Sequence, residues 1–213
     1  MNVVILGMQG AGKGTQAALI AEKYKIPHIS TGELFRKIQE EDSELGRKVK
    51  EILSAGNHVP DDIVIEMLKK RLAEPDCKSG FILDGYPRTF AQAQILETIT
   101  KIDCVLNVDI SIEEAHKRLG SRIQCRNCQA LFSTLENPAM NEGDSCPTCQ
   151  GKLFVRDDDT PKAIQQRLAT YGYQTGPIIA HYQKMRIFHN INGEQPVEKV
   201  FKDIQKILPK LKK

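Results

Sequence analysis

Short apolar runs alternate along the chain with amphipathic stretches. NVVILG at residues 2–7 is β-branched and apolar until it stops at a glycine, the pattern of a strand buried on both faces of a parallel sheet. The pattern recurs as HIS at 28–30, GFILDG at 80–85 and CVLNVDI at 104–110, with a fainter version in IFHNI at 187–191. Between these runs the apolar spacing predicts helices over 13–24, 61–73, 89–99 and 112–120. Alternation of strand and helix predicts an α/β fold, a doubly wound parallel sheet of about five strands flanked by helices, with ligands at the carboxyl ends of the strands.

Two stretches break the alternation. Residues 30–59 hold two polar, charged helical segments and no strand beyond the end of HIS. Residues 122–159 hold four cysteines and short turn-rich pieces around Asn137-Pro138. Both read as inserts on a core made of residues 1–29, 60–121 and 160–213. The second insert ends where Thr160 can cap a helix and Pro161 suits its first position.

A chain of 213 residues can form one sizeable α/β domain carrying smaller inserts. A net charge of +3 is too mild to make nucleic acid the main partner, so any strong positive field must be local. The opening lacks a cationic leader and no apolar run approaches a membrane span, which predicts a cytosolic protein. Its thiols are then reduced, and its six cysteines are not a disulfide framework. Cys77 and Cys104 stand alone and read as packing residues.

GMQGAGKGTQ at residues 7–16 sits between the first strand and the first helix and carries the G-x-x-x-x-G-K pattern of a phosphate-binding loop. Residues Gly10, Ala11, Gly12, Lys13, Gly14 and Thr15 would offer backbone N–H groups and a helix N-terminus to phosphates, and Lys13 would reach the outer ones. The usual loop places a Ser or Thr directly after the lysine as a ligand of Mg2+, but here Gly14 intervenes. Either Thr15 takes that role or the Mg2+ that travels with the nucleotide is held mostly by phosphates and water. In the second case a carboxylate should stand nearby, and Asp84 at the end of GFILDG supplies one.

ILDGYPRT places Arg88 beyond the same strand, where an arginine can clamp a phosphate bidentately. Thr89 and Gln92 also form a T-x-x-Q capping box, and Ser30 with Glu33 another, so Gln92 and its counterpart Thr31 are each either part of a helix start or a ligand contact.

Cys125, Cys128, Cys146 and Cys149 form two C-x-x-C pairs separated by 17 residues, the spacing of a zinc site. Four thiolates close a tetrahedral shell with no open position, which makes such a Zn2+ structural. The rival, a pair of redox motifs, needs a helix head in a thioredoxin-like unit that this region does not offer. Arg118 and Arg122 enter the insert, and Arg156 and Arg167 leave it. With Lys13, Arg36 and Arg88 they can surround a polyphosphate in a loose phosphoryl-transfer transition state.

On GMQGAGKGTQ, HISTGELFR, GNHVPDD, GFILDGYPRTFAQAQ, SRIQCRNC, CPTCQGKLFVRDDD, QQRL and NINGEQ, the chain resembles adenylate kinases of the long, zinc-lid type from residue 1 to about 206. The resemblance implies a P-loop core, a nucleoside-monophosphate-binding insert and a zinc-stapled lid. It implies reversible conversion of MgATP and AMP into two ADP by a monomer. It places ATP phosphates on Gly10 to Thr15, and Arg118, Arg122, Leu131, Phe132 and Gln195 beside ATP. It gives AMP to Thr31, Arg36, Asn57, His58, Val59, Gly85, Tyr86, Pro87, Arg88 and Gln92, with Arg156 and Arg167 reaching the phosphates. Lys13, Asp84, Arg88, Arg122, Arg156 and Arg167 would then be the catalytic groups.

Three positions depart from the family pattern: Gln9 replaces the usual proline, Ile123 the second arginine of many members, and Leu131-Phe132 a pair that ends in tyrosine. None removes a phosphate-facing charge other than the one at position 123. Two alternatives remain at this stage. One is a kinase for CMP, UMP or GMP. The other is a nucleotide switch whose zinc ribbon binds a partner, against which the ribbon between Cys128 and Cys146 carries no Lys or Arg.

Overall fold

A computed structural model describes residues 1–40, 43–54 and 59–208. Its first half runs β1 (Asn2–Leu6), α1 (Lys13–Tyr24), β2 (His28–Ser30), α2 (Thr31–Glu40), α3 (Glu44–Ser54), α4 (Asp61–Leu72), β3 (Phe81–Asp84), α5 (Phe90–Ile99) and β4 (Cys104–Asp109). There follow α6 (Ile112–Gly120), β5 (Arg122–Cys125), β6 (Leu131–Ser133), β7 (Leu153–Phe154), α7 (Pro161–Lys184), β8 (Phe188–Asn192) and α8 (Val197–Gln205).

Strands β2, β3, β1, β4 and β8 form one sheet in that order, with every pairing parallel. The alternation along β1 explains why it must be central. Val3 and Ile5 enter an apolar cluster with Ala17 and Ile20 of α1, Ala115 of α6 and Ile204 of α8. Val4 and Leu6 enter a second cluster on the opposite face, with Leu68 of α4, Leu96 of α5 and Tyr182 of α7. A strand apolar at every position is satisfied only with helices on both sides. Because β1 lies between β3 and β4, the sheet changes winding direction there, and the crevice at its carboxyl end falls on residues 7–12.

Helices α2 and α3 belong to residues 30–59. Each buries one residue, Phe35 and Val49, in the second cluster. Asn57 and His58 lie outside the described residues. Helix α7 spans the molecule: Ile164 and Leu168 near its start join the first cluster, and Ile178 and Tyr182 near its end join the second.

Residues 122–159 are more ordered than the turn-rich reading expected. Strands β6, β5 and β7 form a separate antiparallel sheet, with Ile123 opposite Phe132 and Cys125 opposite Leu153. Strands of 4, 3 and 2 residues are too short for a two-residue period to show in the sequence. Its apolar interior is small: Ile123, Cys125, Cys146 and Leu153, with Phe132 and Met140 against them. Among the described residues no helix is long and apolar enough to cross a membrane.

Candidate active site

Helix α1 begins at Lys13 behind Gly12, which sits at φ 86° and provides no side-chain cap. Only glycine takes that backbone shape freely, and without a cap the first-turn N–H groups are left for another acceptor. Lys13 folds back over the loop and donates from Nζ to the carbonyls of Gly7 and Met8, both at 2.8 Å. Burial brings its pKa down from 10.5 to about 8; Asp84 opposes the drop, and the charges of Arg88, Arg167 and Arg122 add to it. Groups distant in sequence therefore share one field at the mouth of the loop.

Asp84 ends β3 beside this loop. Burial alone would raise its carboxyl, but His28, Lys13 and Arg88 outweigh that and hold it below the usual carboxylate range. His28 comes from the neighbouring strand β2, and its Nε2 stands 3.6 Å from Asp84 Oδ2, inside ion-pair range but too long for a hydrogen bond. A Cβ built on Gly14 would lie 3.6 Å from the same oxygen. The carboxylate thus stands next to the position where the usual loop carries its metal-binding hydroxyl, while Thr15 lies in the first turn of α1. An ionised carboxylate, a hydroxyl one residue late and a glycine that leaves room between them suit a hydrated Mg2+.

The chain then turns through Gly85 at φ 82°, where an added Cβ would come within 2.7 Å of Thr31 Oγ1. Only glycine lets α2 come this close to the strand end. Thr31 donates to the Asp84 carbonyl, at 3.4 Å. Tyr86 is buried with its hydroxyl on the Gln92 carbonyl, and a cis peptide joins it to Pro87. Arg88 is anchored by Nε to the Gly85 carbonyl at 2.8 Å, and burial first, then Arg167, lowers its pKa.

Gln92 is not a capping-box partner. Thr89 Oγ1 does accept from the Gln92 N–H at 3.2 Å, but the Gln92 side chain accepts from the Arg88 N–H at 2.7 Å and donates to Asp61 Oδ1 at 2.6 Å. It lines a cleft with Thr31, Gly85 and Arg88, whose apolar wall is Phe35, Val59 and Val64. Arg36 lies one turn along α2, within 3.5 Å of a Cβ added at Gly32.

The remaining arginines come from the second insert and its hinges. Asp159, with 1% of its side chain exposed, grips Arg122 through both carboxylate oxygens and lies 3.4 Å from Arg167 Nη1. Arg167 also contacts the Asp158 carbonyl at 2.8 Å and carboxylate at 2.9 Å. Burial, then Arg122 and Arg36, pulls the Arg156 pKa down to about 10 against Asp158 and Asp159. Arg36 from the first insert and Arg156 from the second therefore face the same space.

The proposed ATP contacts divide. Arg118 is held by Glu114 at 2.6 Å and the Gly193 carbonyl at 3.0 Å. Gln195 bonds the Asn192 carbonyl at 2.9 Å and Asp203 at 3.2 Å. Leu131 is exposed, whereas its neighbour Phe132 packs into the small interior of the second insert, as alternation on β6 requires.

The four sulfurs of Cys125, Cys128, Cys146 and Cys149 lie within 4.8 Å of one another, with Cys125 and Cys149 at 3.5 Å and Cys128 and Cys146 at 3.7 Å. Sulfurs about 2.3 Å from a tetrahedral metal are separated by about 3.8 Å, so this spacing fits a four-thiolate centre. The N–H groups of Asn127 and Thr148 point at Cys125 and Cys146, each at 3.4 Å. At Cys146 burial opposes ionisation, yet the N–H groups of Cys149 and Thr148, with the thiols of Cys125 and Cys128, outweigh it and bring the thiol to about 6, while Cys128 is pushed up to about 12. Cys77 and Cys104 are buried elsewhere, and burial pushes the Cys104 thiol up to about 12.

His28, Asp61, Gln124 and Asp159 also belong to this network; each lies within a stretch that carries the family resemblance, but sequence reasoning assigns none of them a role in the site.

The protein-family model described as adenylate kinase matches residues 5–187. A protein named adenylate kinase from Archaeoglobus fulgidus is 44% identical over the whole of both chains. One of the same name from Listeria monocytogenes serotype 4a is 44% identical over 98% of this chain and 99% of its own. Another from Treponema denticola is 48% identical over 94% and 95%. With a family match over most of its length and relatives of this similarity from end to end, the chain belongs to the adenylate kinase family.

Proposed function

We propose that the chain transfers the γ-phosphoryl group of MgATP directly to the phosphate of AMP, giving two ADP, and that residues 30–59 and 122–159 close over the two nucleotides. The observation that carries this reading is the convergence of cations at the loop: Asp159 contacts both Arg122 and Arg167, and Lys13, Arg88, Arg36 and Arg156 adjoin them.

ATP phosphates are assigned to the loop N–H groups of Gly10 to Thr15 and to Lys13, with Arg118, Leu131, Phe132 and Gln195 on the nucleoside side. AMP is assigned to the cleft of Thr31, Val59, Gly85 and Gln92, with Tyr86 and Pro87 shaping its edge and Arg36, Arg88, Arg156 and Arg167 on the phosphate. One AMP oxygen attacks the γ-phosphorus as the bond to the ADP oxygen breaks, with no covalent enzyme intermediate. The attacking group is already an anion, so no strong base is required. Charge spreads over the transferring oxygens, and the arginines stabilise it in a buried site where such contacts are strong.

Mg2+ bound with ATP neutralises phosphate charge, and Asp84 with Thr15 is assigned to its water shell. Asp84 and His28 do not abstract a proton. The four cysteines are assigned to a structural Zn2+ that stiffens the lid; another thiophilic ion would serve the same purpose. The chain is proposed to act as a cytosolic monomer. A coupled assay tests the reaction: ATP consumption should depend strictly on added AMP and yield two ADP per AMP. ATP loss at an equal rate without AMP would defeat it.

A further inference from the structure

Arg122 and Arg167 are held by carboxylates, but Arg156 is held differently. Its Nε–H donates to Oε1 of Gln124, a β5 residue that is 2% exposed. A guanidinium only donates, so Gln124 must face Arg156 with its oxygen and turn its NH2 away. That NH2 meets Gln129, donating to its backbone carbonyl at 3.1 Å and its Oε1 at 3.0 Å. Gln129 follows Cys128 with φ 61°, and its own Nε2 donates to the Arg126 carbonyl at 2.7 Å. Every polar group of the Gln124 side chain is thereby used.

From this chain of contacts, and resting on the assignment of Arg156 to the phosphates, we propose that Gln124 is a positioning residue that aims Arg156, with Gln129 tying it to the turn between Cys125 and Cys128. Anchoring Nε leaves both Nη groups, the edge suited to a bidentate phosphate contact, free to face the reacting space. The anchor is also neutral. Arg156 lies among Arg122 and Arg36, and repulsion would swing an unanchored guanidinium away from them. Nothing in the apolar alternation of β5 calls for an amide at position 124; its neighbours Ile123 and Cys125 form the interior of the small sheet.

A double-mutant cycle over Gln124→Leu and Arg156→Ala, with metal content and AMP affinity by calorimetry measured on each variant, tests this. Gln124→Leu should keep its metal, lower kcat about tenfold and leave both KM values within about threefold, because misaiming an arginine costs most in the transition state. Arg156→Ala should lose more, and the double variant should be no worse than Arg156→Ala alone. If Gln124→Leu works normally while Arg156→Ala is crippled, the positioning role is wrong and the assignment of Arg156 stands. Multiplied losses in the double variant would also overturn it, since Gln124 would then act elsewhere. If Arg156→Ala itself works normally, the assignment beneath the proposal fails. Should Gln124→Leu lose its metal, Gln124→Asn, which keeps a buried amide but withdraws it by one methylene, is read by the same criteria.

Discussion

The core and the insert proposed as a lid bring arginines to one place by opposite physical means. Arg88 leaves β3 of a five-stranded sheet with two apolar clusters behind it, and its position is fixed by backbone: a glycine turn, the Gly85 carbonyl and the start of α5. Arg122 starts β5 of a sheet of three short strands, and Arg156 follows its last strand; the interior of that sheet holds four buried residues, two of them cysteines. An interior that small cannot hold two cations among like charges by apolar burial alone. Specific polar partners, Asp159 and Gln124, and a cluster of thiolates take its place. The difference teaches that the lid's arginines should be sensitive to single side chains and to metal, and the core's to the backbone that carries them.

The largest expected effect lies on the core side. Arg88→Ala removes the buried cation at the end of β3 and should lose at least about 3 kcal/mol of transition-state stabilisation, over a hundredfold in kcat/KM, with the melting temperature almost unchanged. Near-normal steady-state kinetics would break the comparison at its firmer end.

Metal removal separates the two regions more directly. Chelation should lower the melting temperature by at least about 5 °C and depress activity, because metal-binding energy is folding energy for so small a unit. Backbone amides of β1, β3 and β4 should keep their protection in hydrogen exchange while those of β5 to β7 lose it. A purified protein with no metal, whose lid melts no earlier after chelation, would remove the structural-metal assignment.

Asp159→Asn sharpens the lid side. It keeps shape but removes the charge between Arg122 and Arg167, and kcat should fall about tenfold, since one partner of a buried ion network is lost. An unchanged kcat would show that Asp159 serves stability alone.

The smallest effect is one of pH. With its pKa lowered to about 8, Lys13 is protonated below that pH and loses its charge above it. Protonated Lys13 attracts phosphate, so Mg2+-free ADP should bind about threefold more weakly at pH ~8.5 than at ~7.5. In Lys13→Arg, which stays charged, calorimetry should show no such slope.

The parts legible in the sequence were those with a long period or a motif. The helices over 13–24 and 112–120 match α1 and α6, because their apolar spacing covers three turns or ends at glycine. The sheet was legible because its central strands β1, β3 and β4 are apolar on both faces. The cysteine spacing located the four-sulfur cluster, but not the sheet that carries it, whose strands are shorter than one clear period. Gln92 shows another limit: its motif fitted two roles, and only the Arg88 N–H and Asp61 at its amide show that the side chain is not a cap. Gln124 and Asp159 lie inside stretches that carry the resemblance, but one polar letter on a short strand and one aspartate among three do not show which arginine each would hold.

The most direct test of the central claim is kcat/KM for AMP, CMP, UMP and GMP as acceptors, with ATP as donor and every product identified. The account predicts that AMP is preferred over each of the others by more than about a hundredfold, with ADP as the only product, because the proposed contacts of Thr31 and Gln92 in that cleft would be left unpaired by another base. Equal or greater kcat/KM for any other monophosphate would contradict it.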